Sequence, residues 1–459
     1  MQIHYFILLL TTLCLSVLYG NISVFNFTKN CIRQDEISPN GTFCLAALPW
    51  SDFHENTLLS SVAWGTALAA LPASWALHRF GVHIVFACFG AISACITALA
   101  PASLWVPLEW SFYLLLAVRI GQGMCLGCCS PVIAVVTSDW APLTENGLFL
   151  GVLTGFVQLG PFLAWAISGF FCQCALTSSW IVTDWLFAAL TLLLFIGWGL
   201  LYRNHPSSHR WCNAKETNKI VQGKRTSSKN SVPYTAMIGT KAVWAILAAA
   251  AASMFGIQLL ILYTPTYVKR VLGFEAKQAG FVSALPIFVH FILKVAAGML
   301  SDIISCCEET LKVKTFNLVA LLGTAFFLSL LGFVSRDGAI YALLILICAT
   351  GLLGLQSGGF YKSSTLVARE YSVFVMGCIQ ILVCIAMAVE PYLVGAVVPF
   401  ESIQQLHRWR LIFLSHSALM LICTVIFCVF GSGQSASWTE AREEHFDEPQ
   451  QVRSKQSTL

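Results

Sequence analysis

Apolar runs of about twenty residues recur roughly every 25 to 40 positions along almost the whole chain. A bilayer core about 30 Å thick is crossed by roughly 20 apolar residues in a helix. That ruler gives twelve runs, at approximately 4–25, 57–77, 82–101, 112–136, 147–171, 181–202, 242–267, 278–300, 316–335, 340–361, 373–397 and 410–430. The first run could instead be the apolar core of a signal peptide. No Lys or Arg precedes it and it is longer than a usual core of that kind, so it reads as a retained helix. The chain is therefore expected to be an all-α polytopic membrane protein.

Composition excludes the other classes. Charged residues make up 10% of the chain and apolar residues 57%, against roughly 25% charged in a soluble domain. A water-facing surface cannot be built from so few. The net charge of +4 is mild. No basic cluster with interleaved aromatics points to nucleic acid, and no glycine loop or metal spacing points to a cofactor. No His, Asp or Cys constellation suits an intramembrane enzyme. Most of the 18 cysteines lie in or beside apolar runs, where a free thiol acts as a small hydrophobe. The group Cys125, Cys128 and Cys129 lacks a His, Asp or Glu on the same run. Cys31 and Cys44 differ, since they sit in a polar stretch beside glycosylation sequons and make a plausible disulfide.

An even number of runs puts both ends of the chain on one side. Sixteen loop Lys and Arg fall on that side and eight on the other, so the termini are expected in the cytosol. The sequons Asn26-Phe27-Thr28 and Asn40-Gly41-Thr42 lie on the opposite side, as glycan acceptors must. The expected organisation is a six-helix half over 1–202 with a glycosylated loop at about 26–56, a basic cytosolic linker over 203–241, a second six-helix half over 242–431, and a cytosolic tail over 432–459. The last residues, Ser457-Thr458-Leu459, form a weak match to ends captured by PDZ domains. Parallel six-helix halves are a transporter architecture, with the substrate site at their interface near mid-membrane.

Short motifs accumulate in order along this frame. They are Trp64-Gly65 with Leu71-Pro72 and Arg79-Phe80-Gly81, then Arg119-Ile120-Gly121-Gln122-Gly123 with Pro131 and Trp140-Ala141-Pro142. Pro265-Thr266-Tyr267, Ser283-Ala284-Leu285-Pro286, Ser301-Asp302, Gly358-Gly359-Phe360-Tyr361-Lys362, Val375-Met376-Gly377 and Trp409-Arg410 follow. Together they resemble the major facilitator superfamily. More closely, they resemble its anion–cation symporters, the group of sialin, the vesicular glutamate transporters and the sodium–phosphate cotransporters. The resemblance implies secondary transport of a small anion, with sodium, a proton or no ion coupled to it, in a plasma, lysosomal or vesicular membrane. Two departures bear on mechanism. Many members of the family have an arginine in the first helix where this chain has Tyr19. Most have a glutamate, associated with proton coupling, where it has Leu126. These losses also give a rival reading its force: a non-transporting descendant that serves as a receptor or scaffold.

Charges inside a bilayer cost about 2.5–3.5 kcal/mol each on insertion scales and usually face a cavity or a partner. Arg119 is the expected holder of the anion, because a guanidinium grips a carboxylate or phosphate with two parallel hydrogen bonds. Tyr19, Gln158, Ser253 and Gln258 are the polar candidates around it; Gln356 and Gln380 share their chemistry. His290 and Lys294, four residues apart, share one helix face. They line the cavity, or Lys294 snorkels to the nearer interface, which its place low in the run favours. Glu390, before Pro391, is the coupling candidate.

Overall fold

The computed structural model describes residues 2–32, 51–142, 145–171, 179–221, 234–304, 307–334, 338–399 and 402–440. Among them every regular element is helical. Twelve helices are long and apolar enough to cross a membrane: α1 (Ile3–Asn30), α2 (Asp52–Leu77), α3 (Val82–Ser103), α4 (Glu109–Trp140), α5 (Gly147–Phe171) and α6 (Ile181–Leu201) form one half. The other half holds α7 (Lys241–Val271), α8 (Ala276–Ile303), α9 (Glu309–Leu331), α10 (Ala339–Ala368), α11 (Phe374–Val397) and α12 (Leu406–Phe430). In hydrocarbon a helix is the one open-chain form that satisfies its own backbone. The expected loop at 26–56 is shorter than its apolar pattern implied. The helix that holds α1 runs on to Ile32, through a polar stretch whose side chains bond inside the bundle, and α2 starts at Asp52.

Small residues let the backbones meet. A Cβ on Gly65 would lie 2.1 Å from the Ile120 carbonyl oxygen, and one on Gly123 would lie 2.2 Å from that of Val62, so α2 and α4 touch main chain to main chain. The halves meet along α5 and α8 in the same way, with a Gly169 Cβ falling 2.7 Å from Gly280 Cα. Away from the termini the bundle is closed. The Asn30 carbonyl at the end of α1 accepts from Lys269 Nζ at 3.0 Å and Arg270 Nη2 at 3.2 Å, both from α7. The Asn30 Oδ1 accepts from Thr266 Oγ1 at 3.0 Å. Nearby, Ser60 Oγ of α2 donates to the Ala388 carbonyl of α11 at 2.8 Å.

The segment between the halves carries a short helix, Ala214–Val221, docked under the first half. Its Glu216 Oε1 accepts from the His4 backbone N–H at 3.0 Å and lies 2.6 Å from His4 Nδ1. His4 Nε2 faces Glu145 Oε2 at 3.2 Å, and Lys219 Nζ donates to Glu145 Oε1 at 2.6 Å. Burial works against both charged carboxyls. The Lys219 and Tyr5 partners nevertheless hold Glu145 below its ordinary range, and the His4 backbone and ring do the same for Glu216.

Two outcomes follow from this packing. Gly65→Ala and Gly123→Ala should each cost about 1–3 kcal/mol by overpacking, read as a lowered unfolding midpoint in detergent. Gly197→Ala, with nothing within 4 Å of the added carbon, should change it little. The docked linker should also be acid-labile. A carboxyl whose docked pKa is depressed stabilises fully above its free value near 4.5 and loses that contribution as pH falls through the docked value. Hydrogen exchange over Ala214–Val221 should therefore rise below about pH 4.5, and protection unchanged through pH 3 would count against the dock.

Candidate functional site

Arg119 sits in α4 with 1% of its surface exposed. Its Nε donates to the Leu58 carbonyl at 3.3 Å, its Nη1 to the Ile22 carbonyl at 2.8 Å and Gln122 Oε1 at 3.3 Å, and its Nη2 to Asn26 Oδ1 at 3.4 Å. Four of its five N–H groups are thus used on α1, α2 and α4. The Phe25 ring covers it at 4.8 Å, and the Asp184 carboxylate of α6 lies within electrostatic range. Sequence reasoning passed over Asp184, whose signal was an acid inside the sixth apolar run. The expectation that Arg119 faces an anion is corrected here. The guanidinium is consumed by carbonyls that pin three helices together.

The same contact corrects Asn26 as a glycan acceptor. It lies in α1 at 2% exposure with its amide on Arg119, and a glycan there would leave no room for the bundle. Asn40 and Cys44 lie outside the described residues, as do Ser457-Thr458-Leu459, and the side chain of Cys31 is not among those described.

A polar seam joins the halves instead. On one side Tyr19 of α1 packs edge-on against Phe156 of α5 at 5.8 Å, and its hydroxyl pairs with Gln258 of α7. On the other, Gln158 Nε2 of α5 lies 3.3 Å from His290 Nε2 of α8. One turn along α8, Lys294 Nζ donates to the Thr154 carbonyl of α5 at 3.1 Å. Lys294 therefore does not snorkel; it is 7% exposed and reaches across the interface. Breaks in two helices explain why. In α5 the Gln158 N–H turns to the Gly155 carbonyl at 3.0 Å, so the Thr154 carbonyl loses its partner four residues on and is free for Lys294. The α10 helix tightens into a 3₁₀ turn at Leu353–Ser357. There Gly354 lets that turn press on the α8 backbone, its added Cβ falling 2.8 Å from both the His290 oxygen and the Lys294 nitrogen. Gln158 Oε1 and His290 Nδ1 in this seam, and Ser253 Oγ and Gln356 Oε1 on α7 and α10, are buried without a hydrogen-bond partner. Gln380 lies apart, accepting from Ser130 Oγ at 3.0 Å.

Glu390 is fully buried in α11, and its Oε1 lies 3.1 Å from His416 Nε2 of α12. Tyr263 of α7 stands beside them, its hydroxyl donating to the Pro391 carbonyl at 3.4 Å. The coupling candidate thus has an imidazole partner that its own helix could not reveal.

Replacing Arg119 should act first on assembly. Arg119→Ala removes four hydrogen bonds and strands Asp184, a change of the kind that costs about 3–5 kcal/mol. Arg119→Lys should recover little of this, since an ammonium cannot reproduce the planar fork. The unfolding midpoint should drop in both, and a midpoint unchanged in Arg119→Ala would argue for a role in binding alone.

Comparison with known proteins agrees with this architecture. The family model described as Major Facilitator Superfamily matches residues 11–391. Sialin from Ovis aries is 26% identical over 396 residues, covering 85% of this chain and 77% of sialin. Sodium-dependent phosphate transport protein 1 from Mus musculus is 24% identical, covering 85% of this chain and 83% of its own length. The probable vesicular glutamate transporter eat-4 from Caenorhabditis elegans is 24% identical, covering 92% and 72%. Among solved structures, the proton:xylose symporter XylE bound to 6-bromo-6-deoxy-D-glucose superposes with a TM-score of 0.68 at 15% identity, over 95% of this chain and 98% of that one. A bacterial homolog of the lysosomal transporter Spinster, inward-facing and unoccupied, gives 0.66 at 14% identity, over 93% and 96%. With twelve membrane helices in two halves and a family match over most of its length, the chain belongs to the major facilitator superfamily.

Proposed function

We propose that this protein is a secondary transporter that moves a small organic or inorganic anion across its membrane by alternating access. The observation that carries the reading is the seam between the halves, where Gln158 and His290 keep unmatched polar atoms deep in an apolar bundle. Unpaired buried polar atoms cost about 1–3 kcal/mol each and are tolerated where a ligand completes them. The relatives include a phosphate transport protein and a probable glutamate transporter, which favours an anionic cargo. The excess of basic loop residues beside the termini favours termini in the cytosol. The membrane is then the plasma membrane or that of a lysosome or vesicle.

Coupling is read from what Leu126 lacks. Leucine takes up no proton, so transport is sodium-driven, potential-driven or facilitative unless the Glu390–His416 pair carries the proton. The test is uptake by purified protein in liposomes across an anion panel, with proton and sodium gradients imposed separately. Saturable uptake of at least one anion is expected, changed little by the proton gradient and intact in Glu390→Gln. Steep proton-driven uptake that disappears in Glu390→Gln would move coupling to that pair. No uptake of any anion would favour the receptor or scaffold reading.

A further inference from the structure

Four Lys or Arg side chains are buried among the described residues: Lys29, Arg119, Lys294 and Lys312. Three have an acid at hand. Lys29 Nζ lies 3.0 Å from Glu55 Oε1, Lys312 pairs with Glu309, and Arg119 has Asp184 within electrostatic range. Lys294 has none. Its single hydrogen bond among the described residues is to the Thr154 carbonyl at 3.1 Å, which leaves two of three ammonium N–H donors unused. A cation held out of water without a counter-charge is costly, and it persists where something else supplies the charge.

The surroundings are built for that. Lys294 shares a face with His290, whose Nδ1 has no partner, and His290 meets Gln158, whose Oε1 has none either. The Thr154–Gly155 break opens α5 at this level, and the 3₁₀ turn of α10 fixes the α8 backbone from behind, with Ser357 Oγ donating to the Lys294 carbonyl at 2.8 Å. Resting on the transport reading above, we propose that Lys294 is the fixed positive partner of the cargo, with His290 and Gln158 as its polar neighbours. One uncompensated cation matches one negative charge. The cargo class is therefore a monoanion, above all a monocarboxylate with further polar groups for the imidazole and amide, rather than a dianion.

Full-length protein in liposomes is tested with radiolabelled lactate and gluconate as monoanions and succinate and sulfate as dianions, and the same four are tested for shifts in the unfolding midpoint. Wild type should favour a monoanion in uptake and in stabilisation. Lys294→Met should lose both, by roughly tenfold or more for an interaction of this strength, while its ligand-free midpoint holds or rises, because an unpaired buried charge has been replaced by an apolar chain of similar length. Lys294→Arg should restore uptake with a raised KM. Uptake by Lys294→Met with a KM like that of wild type overturns the assignment, as does a preference for dianions. If wild type takes up none of the four but a monoanion stabilises it through Lys294, the transport reading fails and the site stands. If none of them stabilises wild type or enters the liposomes, the site assignment is overturned.

Discussion

A bilayer offers no water to a buried charge, and the whole bundle is arranged around that fact. Most of the ionised groups placed between apolar helices are matched from another helix, because their own backbone is already committed to the helical ladder. The matches tie the structure together. Arg119 binds α1, α2 and α4 into one body through carbonyls and the Asn26 amide, and Lys29 with Glu55 joins α1 to α2. Glu390 with His416 joins α11 to α12. These contacts lie within a half. The seam between halves is different: fewer bonds cross it, and several of its polar atoms have no partner.

That contrast separates scaffold from working surface. Within a half, glycines bring backbones to contact and most buried charges find partners. At the seam, a break in α5 frees the Thr154 carbonyl, and a tightened turn in α10 packs behind the α8 residues that face it. Discontinuous helices at a repeat interface are where transporters of several folds place their ligands. At the far end Asn30 takes three bonds from α7 through its carbonyl and side-chain oxygen, and Thr57 and Ser60 of α2 bond the Tyr392 hydroxyl and the Ala388 carbonyl of α11. Parting the halves at that end breaks all of these bonds.

Much of the fold could be read from the sequence because membrane length is written directly in apolar runs. The helix boundaries drifted where polar residues face inward. Asn26 and Thr28 looked like the start of a loop with a sequon, yet both are buried in α1, where Asn26 accepts from Arg119 of α4 and Thr28 donates to the Val24 carbonyl of its own helix. The site was less legible. Arg119 drew attention as a charge in an apolar run, and only its acceptors from α1 and α2 show that its donors are spent. Lys294 looked like a snorkelling end residue, because sequence carries no sign that the Thr154 carbonyl has been released. Asp184 and His416 matter through partners that lie far away in sequence, which periodicity cannot reach.

The α8 helix also sets a condition on biogenesis. It carries His290 and Lys294 in its buried face and Pro286 in its interior, and the centre-of-membrane cost of a lysine, about 2.5–3.5 kcal/mol, is not offset by an acid beside it, since Asp302 of the same helix lies about two turns away. Left alone in lipid it would carry that cost uncompensated. Its ammonium finds an acceptor only on α5, which has by then left the ribosome and lies in the other half. The helix that carries the charge proposed for cargo therefore depends on the first half for the one hydrogen bond its ammonium makes among the described residues.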